Sequence, residues 1–200
     1  MISTEEALNR LRKGNERFVS DSSIFNNALS HKSRRHSLAE DQDPFAIILG
    51  CSDSRVSSEI IFDQGLGDLF VVRVAGNIVA PSQIGSIEFA VERFGARLVV
   101  VMGHSRCGAI QATLDSLRSP SENQSKNLRS IVDRIRPSLE LLDIDQDPEI
   151  TLQQAVRANI HSSVSQLQHE SRILEQLIKK GDLLILGAEY SLDTGIVNFL

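Results

Sequence analysis

The chain has no tryptophan, a single tyrosine and only two cysteines in 200 residues. Two cysteines cannot staple a small scaffold. A chain of this length buries roughly three quarters of its unfolded surface, so its core needs no disulfides. Without Trp, and with eight Phe as almost its whole aromatic content, it lacks the stacking platform that single-stranded nucleic acids select. Basic charge is not in excess either: 21 Lys and Arg against 26 Asp and Glu give a net charge of −5, which works against binding to phosphate backbones. Apolar runs such as 98–102 fall far short of the ~18 residues that a membrane span requires. The opening Met1-Ile2-Ser3-Thr4-Glu5-Glu6 has neither a basic flank nor an apolar segment. The expected compartment is therefore the reducing cytoplasm, and both cysteines are expected as thiols. What remains, at 41% hydrophobic and 24% charged residues, is a soluble globular protein with no nucleic-acid or membrane partner. The basic group Lys32, Arg34, Arg35 and His36 reads as a solvated loop rather than a phosphate patch.

Ser3 and Glu6 form a capping-box pair ahead of Leu8, Leu11, Asn15, Phe18 and Val19, a spacing that predicts an amphipathic helix of about four turns. A polar stretch over 20–42 follows, so 1–42 reads as an N-terminal helical arm and 43–200 as the α/β core of one domain. The stripe of that arm either packs back on its own domain or clasps another subunit. From Pro44 onward, β-rich runs at 45–49, 69–74, 98–102 and 183–186 alternate with helical patterns at 57–62, 84–94, 107–117, 127–141 and 149–180. This alternation predicts an α/β fold with a mainly parallel β-sheet flanked by helices. The last pattern has Asp147 as cap, Pro148 at the first helical position and Gly181 as its stop. Its stripe of Leu152, Val156, Ile160, Val164 and Leu167 lapses near 169–172, where a break is expected. The segment 118–126 reads as a polar loop.

Chemistry concentrates at two strand exits. Gly50-Cys51-Ser52-Asp53-Ser54-Arg55 follows the first β-run and Gly103-His104-Ser105-Arg106-Cys107-Gly108 follows the third. Ligands of open parallel sheets bind beyond the carboxyl ends of strands, where these two segments can meet. Two thiolates and an imidazole form a borderline-soft set suited to zinc, with a fourth position left for water or Asp53. A lone buried cysteine is more often an inert small hydrophobe, but two cysteines, one histidine and an Asp–Arg pair together favour a metal site. A nucleophilic Cys51 with Arg55 as anion clamp is disfavoured. Only three residues separate them, too few to wrap backbone amides around a phosphate. A structural zinc site would normally be closed by four Cys or His ligands. His31, His36, His161 and His169 have no matching partners and receive no role.

With Arg73-Val74-Ala75-Gly76-Asn77, these segments resemble the signature segments of the beta-class carbonic anhydrases of the plant-like or bacterial kind, in order and spacing. The likeness runs from Gln42 to Gly108 and resumes over 187–200, with Thr194, Gly195 and Phe199 in place. It implies one zinc ion held by Cys51, His104 and Cys107, with Asp53 as competitor for the fourth position. Asp53 and Arg55 become the catalytic dyad beside the water that zinc activates, in the reversible hydration of carbon dioxide to bicarbonate and a proton. Gln42, Phe70, Ala75, Phe89 and Gly108 match substrate-binding positions, Gln42 often acting from a neighbouring subunit and Gly108 through its backbone N–H. Ala75 stands where Val is common, Phe89 where Tyr is frequent, Ala109 where a second Gly is common and Ser191 where Asp is common. Ile48 stands where a bicarbonate-regulated subgroup carries Trp, so that regulation is not expected. The resemblance also implies a homodimer or homotetramer. Two thiolates cancel the ion's formal charge, which implies activity favoured by alkaline pH. The alternatives are a CS2 or COS hydrolase on the same zinc site and a non-catalytic zinc-binding module.

Overall fold

A computed structural model describes residues 2–24, 32–119 and 125–200. Its centre is a five-stranded sheet of β1 (Ala46–Gly50), β2 (Leu69–Arg73), β3 (Leu98–His104), β4 (Leu184–Tyr190) and β5 (Val197–Phe199) in the order β2-β1-β3-β4-β5. The first four are parallel and β5 runs antiparallel to β4. Every residue of β1 and β3 is buried, as expected of central strands covered on both faces.

Alternate side chains of these strands feed two layers. Ile47, Leu49, Val99, Val101 and Ile185 pack with α4 (Pro81–Phe94), α5 (Gly108–Arg118), α6 (Lys126–Leu139), α7 (Pro148–His169) and α8 (Arg172–Lys179). Ala46, Ile48, Leu98, Val100 and Met102 pack on the other face with α1 (Thr4–Val19) and α3 (Ser58–Ile61). Ser3 caps α1 by accepting from the Glu6 amide at 3.1 Å, and the buried positions Ala7, Leu11, Gly14 and Asn15 define one helical face. That face packs back on the chain's own domain. Asn15 donates to the carbonyls of Ile61 and Gly195 and accepts from the amide of Val197.

Three elements depart from expectation. The polar 20–42 stretch contains a short helix, α2 (Lys32–Ser37), held by Arg34 donating to Leu66 O and to Asp68. Residues 25–31, including His31, and 120–124 lie outside the described residues. The sheet has a fifth strand, too short at three residues for a period-2 signal. A 3-10 turn, Ala75–Asn77, follows β2. The expected break in the last helical pattern falls at Glu170 and Ser171, where the Ser171 hydroxyl caps α8 by accepting from the Leu174 amide. No helix among the described residues is long and apolar enough to cross a membrane.

The order places β1 between β2 and β3, with the chain leaving first to β2 on one side and then to β3 on the other. The carboxyl ends of β1 and β3 therefore flank the point where strand order reverses, the usual location of a ligand crevice in such sheets.

Candidate metal centre

Cys51 leaves the end of β1, His104 is the last residue of β3, and Cys107 is the N-cap residue of α5. Between the last two, Arg106 adopts a left-handed φ of 55°, which turns the chain so that Cys107 comes back beside His104. One ligand atom from each of Cys51, His104 and Cys107 lies within 4.8 Å of the others, and all three side chains are buried. Ligand atoms around one tetrahedral zinc stand about 3.3–3.8 Å apart, on zinc–ligand distances of about 2.0–2.3 Å, so the trio fits a single ion. Both cysteines are free thiols. The imidazole gives the sharpest test. Nδ1 donates to the Ser105 carbonyl at 2.9 Å, while Nε2 is buried with no hydrogen-bond partner. A buried, unpaired nitrogen is costly, and a metal facing the two sulfurs satisfies it.

Each sulfur has its own surroundings. Cys51 Sγ accepts from the amides of Gly76 at 3.3 Å and Asp53 at 3.4 Å. The Cys107 thiol first, then the nearby His104 ring and these two amides, hold the Cys51 thiol well below its ordinary pKa, against the opposing effect of burial. The hydrogen bond to Cys51, burial and the charge of that neighbour push Cys107 up, while amides of Ile110 and Ala109 at the α5 N-terminus pull it down.

Asp53 stands beside the trio but outside it. Its carboxylate receives Arg55 Nε at 2.9 Å, Arg55 Nη2 at 2.7 Å and the Arg55 amide at 3.0 Å, and one oxygen lies 3.9 Å from His104 Nε2. Hydrogen bonds from the Arg55 side chain and then its amide hold the Asp53 carboxyl well below the usual carboxylate range. The expected fourth ligand is thus turned to Arg55, because a bidentate charge-assisted pair satisfies it better than a distant approach to the imidazole. Arg55 is committed to Asp53, which removes it as an anion clamp over Cys51.

Arg73 donates through Nε to the Cys51 carbonyl and through Nη2 to the Asp53 carbonyl, at 3.0 and 2.7 Å. Arg73 and the Gly76 amide brace the first strand exit from β2. Their sequence segment was visible, but neither contact has a local signal.

The matched pocket positions are scattered. Ala75 and Gly108 lie at the site, in the turn after β2 and at the first turn of α5, and a Cβ at Gly108 would meet nothing within 4 Å. Phe70 in β2 and Phe89 in α4 lie apart from the ligand cluster, in an aromatic group with Phe94 at centroid distances of 5.6–6.4 Å. Gln42 is exposed and precedes β1, whereas Cys51 follows it, so its own site lies at the opposite end of the strand. His36, His161 and His169 do not belong to the ligand cluster.

The sequence model of the carbonic anhydrase family matches residues 46–197. A carbonic anhydrase of Mycolicibacterium smegmatis is 40% identical over 194 residues, covering 94% of this chain and 88% of that protein. The solved structure of the beta-carbonic anhydrase CcaA superposes with a TM-score of 0.73 at 26% identity, covering 96% of this chain and 91% of that one. One of two tetrameric beta-carbonic anhydrases of Sordaria macrospora superposes with a TM-score of 0.72 at 23% identity, over 82% and 84% of the two chains. The likeness thus extends well past the strand exits to the whole α/β body, and the chain belongs to the carbonic anhydrase family, in its beta class.

Proposed function

We propose that Cys51, His104 and Cys107 hold one zinc ion and that Asp53 and Arg55 are the dyad working beside it in the reversible hydration of carbon dioxide. The family activity is CO2 hydration. The observation that carries the residue assignment is the partnerless, buried Nε2 of His104, facing two free thiols with a pre-formed Asp–Arg pair alongside. Zinc bound there supplies Lewis acidity, lowering the pKa of water towards neutrality, less so with two thiolates than with imidazoles alone.

The chain's own groups do the rest. Asp53 stays ionised under Arg55, so its carboxylate accepts a hydrogen bond from the attacking water and aims the water's lone pair at the substrate carbon. Arg55 fixes the direction of that acceptor through two parallel N–H donors. The Gly108 amide, in the first turn of α5, donates to the substrate oxygen on which charge develops. Carbon dioxide carries no net charge, so an apolar wall including Ala75 suffices to hold it.

Gln42, Phe70 and Phe89 enter this proposal as residues serving an assembly. Gln42 is separated from its own site by the length of β1, about 17 Å at a strand's rise per residue, and so serves the site of a second copy. β2 is an edge strand, and Phe89 beside it is 53% exposed. This supports a homodimer or homotetramer, and the Sordaria macrospora relative is tetrameric. Two unbridged thiols suit the reducing cytoplasm. The test is stopped-flow CO2 hydration by protein stripped of metal and reloaded with zinc, for the wild type and for Asp53→Ala. Zinc-dependent activity that falls sharply in Asp53→Ala supports the assignment, and equal activity in both overturns the role of Asp53.

A further inference from the structure

Helix α7 supplies no ligand, yet two of its buried side chains reach the turn that faces the Cys51 sulfur. We propose that Asn159 and Ser163 are positioning residues of the metal centre: they fix the left-handed Gly76–Asn77 turn, and so aim the Gly76 N–H at Cys51 Sγ. This rests on the zinc assignment above.

The turn has consecutive residues at positive φ, Gly76 at 68° and Asn77 at 43°. Glycine takes that region freely and asparagine is among the few other residues that tolerate it, so the sequence permits the turn and its surroundings fix it. Here both peptide planes around Asn77 are pinned. The Gly76–Asn77 plane is held at one end by Asn77 N–H donating to Val74 O at 3.0 Å, and at the other by Asn159 Nδ2 donating to Gly76 O at 2.8 Å. The next plane is held by Ser163 Oγ donating to Asn77 O at 3.1 Å. The turn's own side chain gives no such support, because Asn77 Nδ2 is buried without a partner. Asn159 and Ser163 are four residues apart on one helical face and 3% exposed.

The helix that carries them is itself seated without slack. Between these two residues Ile160 packs over Gly103 and Gly187, where an added Cβ would lie 2.6 Å from its side chain at either glycine. Gly103 precedes His104, so one helix backs both the histidine strand and the turn over Cys51. An amide aimed at a thiolate draws charge off the sulfur and fixes its direction towards a metal. Outer contacts of this kind are worth about 10–100-fold in metal affinity.

A merely structural role would tie α7 to a loop and affect stability alone, so the test separates the two. Zinc-loaded wild type, Ser163→Ala and Asn159→Ala are compared with Thr151→Val. Thr151 is a fully buried polar residue of the same helix whose hydroxyl bonds Asp147 O, away from the turn. The measurements are zinc release to a chromogenic chelator, the thiolate-to-metal charge-transfer band of the cobalt(II) forms, and the unfolding midpoint. Asn159→Ala is expected to release zinc about tenfold faster with a shifted band, Ser163→Ala to move the same way by less, and Thr151→Val to lose stability only. Wild-type release and spectrum in both α7 variants overturn the proposal. Should Asn159→Ala fail to fold, Ser163→Ala decides on the same two readouts. A wild type that takes up neither zinc nor cobalt overturns the metal assignment, and the proposal with it. Normal uptake with unchanged variants overturns only the role of Asn159 and Ser163.

Discussion

Gly14→Ala and Gly85→Ala make the same chemical change inside two helices and should move stability in opposite directions. Alanine is favoured over a helix-interior glycine by about 1 kcal/mol, so propensity alone stabilises both variants. At Gly85 in α4 an added Cβ meets nothing within 4 Å, and that gain is kept. At Gly14 in α1 the Cβ would lie 1.8 Å from the carbonyl oxygen of Phe62 and 2.7 Å from its carbonyl carbon. Ordinary contact begins near 3.4 Å, and the obstacle is backbone, so the helix must lift by more than an ångström. Lifting exposes Leu11, now fully buried, and strains the three hydrogen bonds of Asn15 to Ile61, Gly195 and Val197. Overpacking costs about 1–3 kcal/mol and loss of a buried leucine's burial about 1.5–3 kcal/mol if complete. Against the ~1 kcal/mol gain, a net loss of about 2 kcal/mol is expected. At 2–4 °C per kcal/mol for a chain of this size, the melting temperature falls by about 4–8 °C for Gly14→Ala and rises by about 2–4 °C for Gly85→Ala. Circular dichroism melts of the zinc-loaded proteins at equal concentration measure both. A Gly14→Ala protein as stable as wild type, or more so, would show that α1 does not dock on the Phe62 carbonyl in this register.

Cys107→Ser should lose most of the metal, which elemental analysis reads as a fall from one zinc per chain; full retention with full activity would sink the ligand assignment. Arg55→Ala should keep the metal but lose at least tenfold in CO2 hydration, because Asp53 loses both guanidinium bonds and is free to turn towards the metal. A crystal structure showing Asp53 unmoved, or unchanged activity, would count against this. Since Arg55 holds the Asp53 carboxyl below its usual range, Asp53 stays ionised above its unfolded pKa of about 3.9. It should add no step to the pH–rate profile between about pH 6 and about pH 9, where activity should rise to the alkaline side. A midpoint in that window that disappears in Asp53→Asn would contradict it. Sedimentation should show a dimer or tetramer, and a fully active monomer would remove the assembly role given to Gln42.

Local pattern and residue chemistry make much of this protein legible in its sequence. The strands β1 to β4 show as short apolar runs, α1 and α7 show in their stripes and caps, and the break before α8 shows where the stripe lapses. Two sulfurs and an imidazole at strand exits declare a soft-metal site through their donor atoms alone, and the shared segments then supply the family. The structure had to decide what depends on residues far apart in the chain. Helix α2 has no apolar stripe and is held by Arg34 reaching Leu66 and Asp68. Strand β5 exists through its pairing with β4. The stripe of α1 fits either of two uses, and only docking on the chain's own sheet chooses between them. Asp53 is a competent ligand by chemistry, yet its three hydrogen bonds from Arg55 turn it aside. Asn159 and Ser163 read in sequence as polar residues of an ordinary helix. Their contacts with Gly76 and Asn77 span more than eighty residues, a separation at which no local pattern carries information.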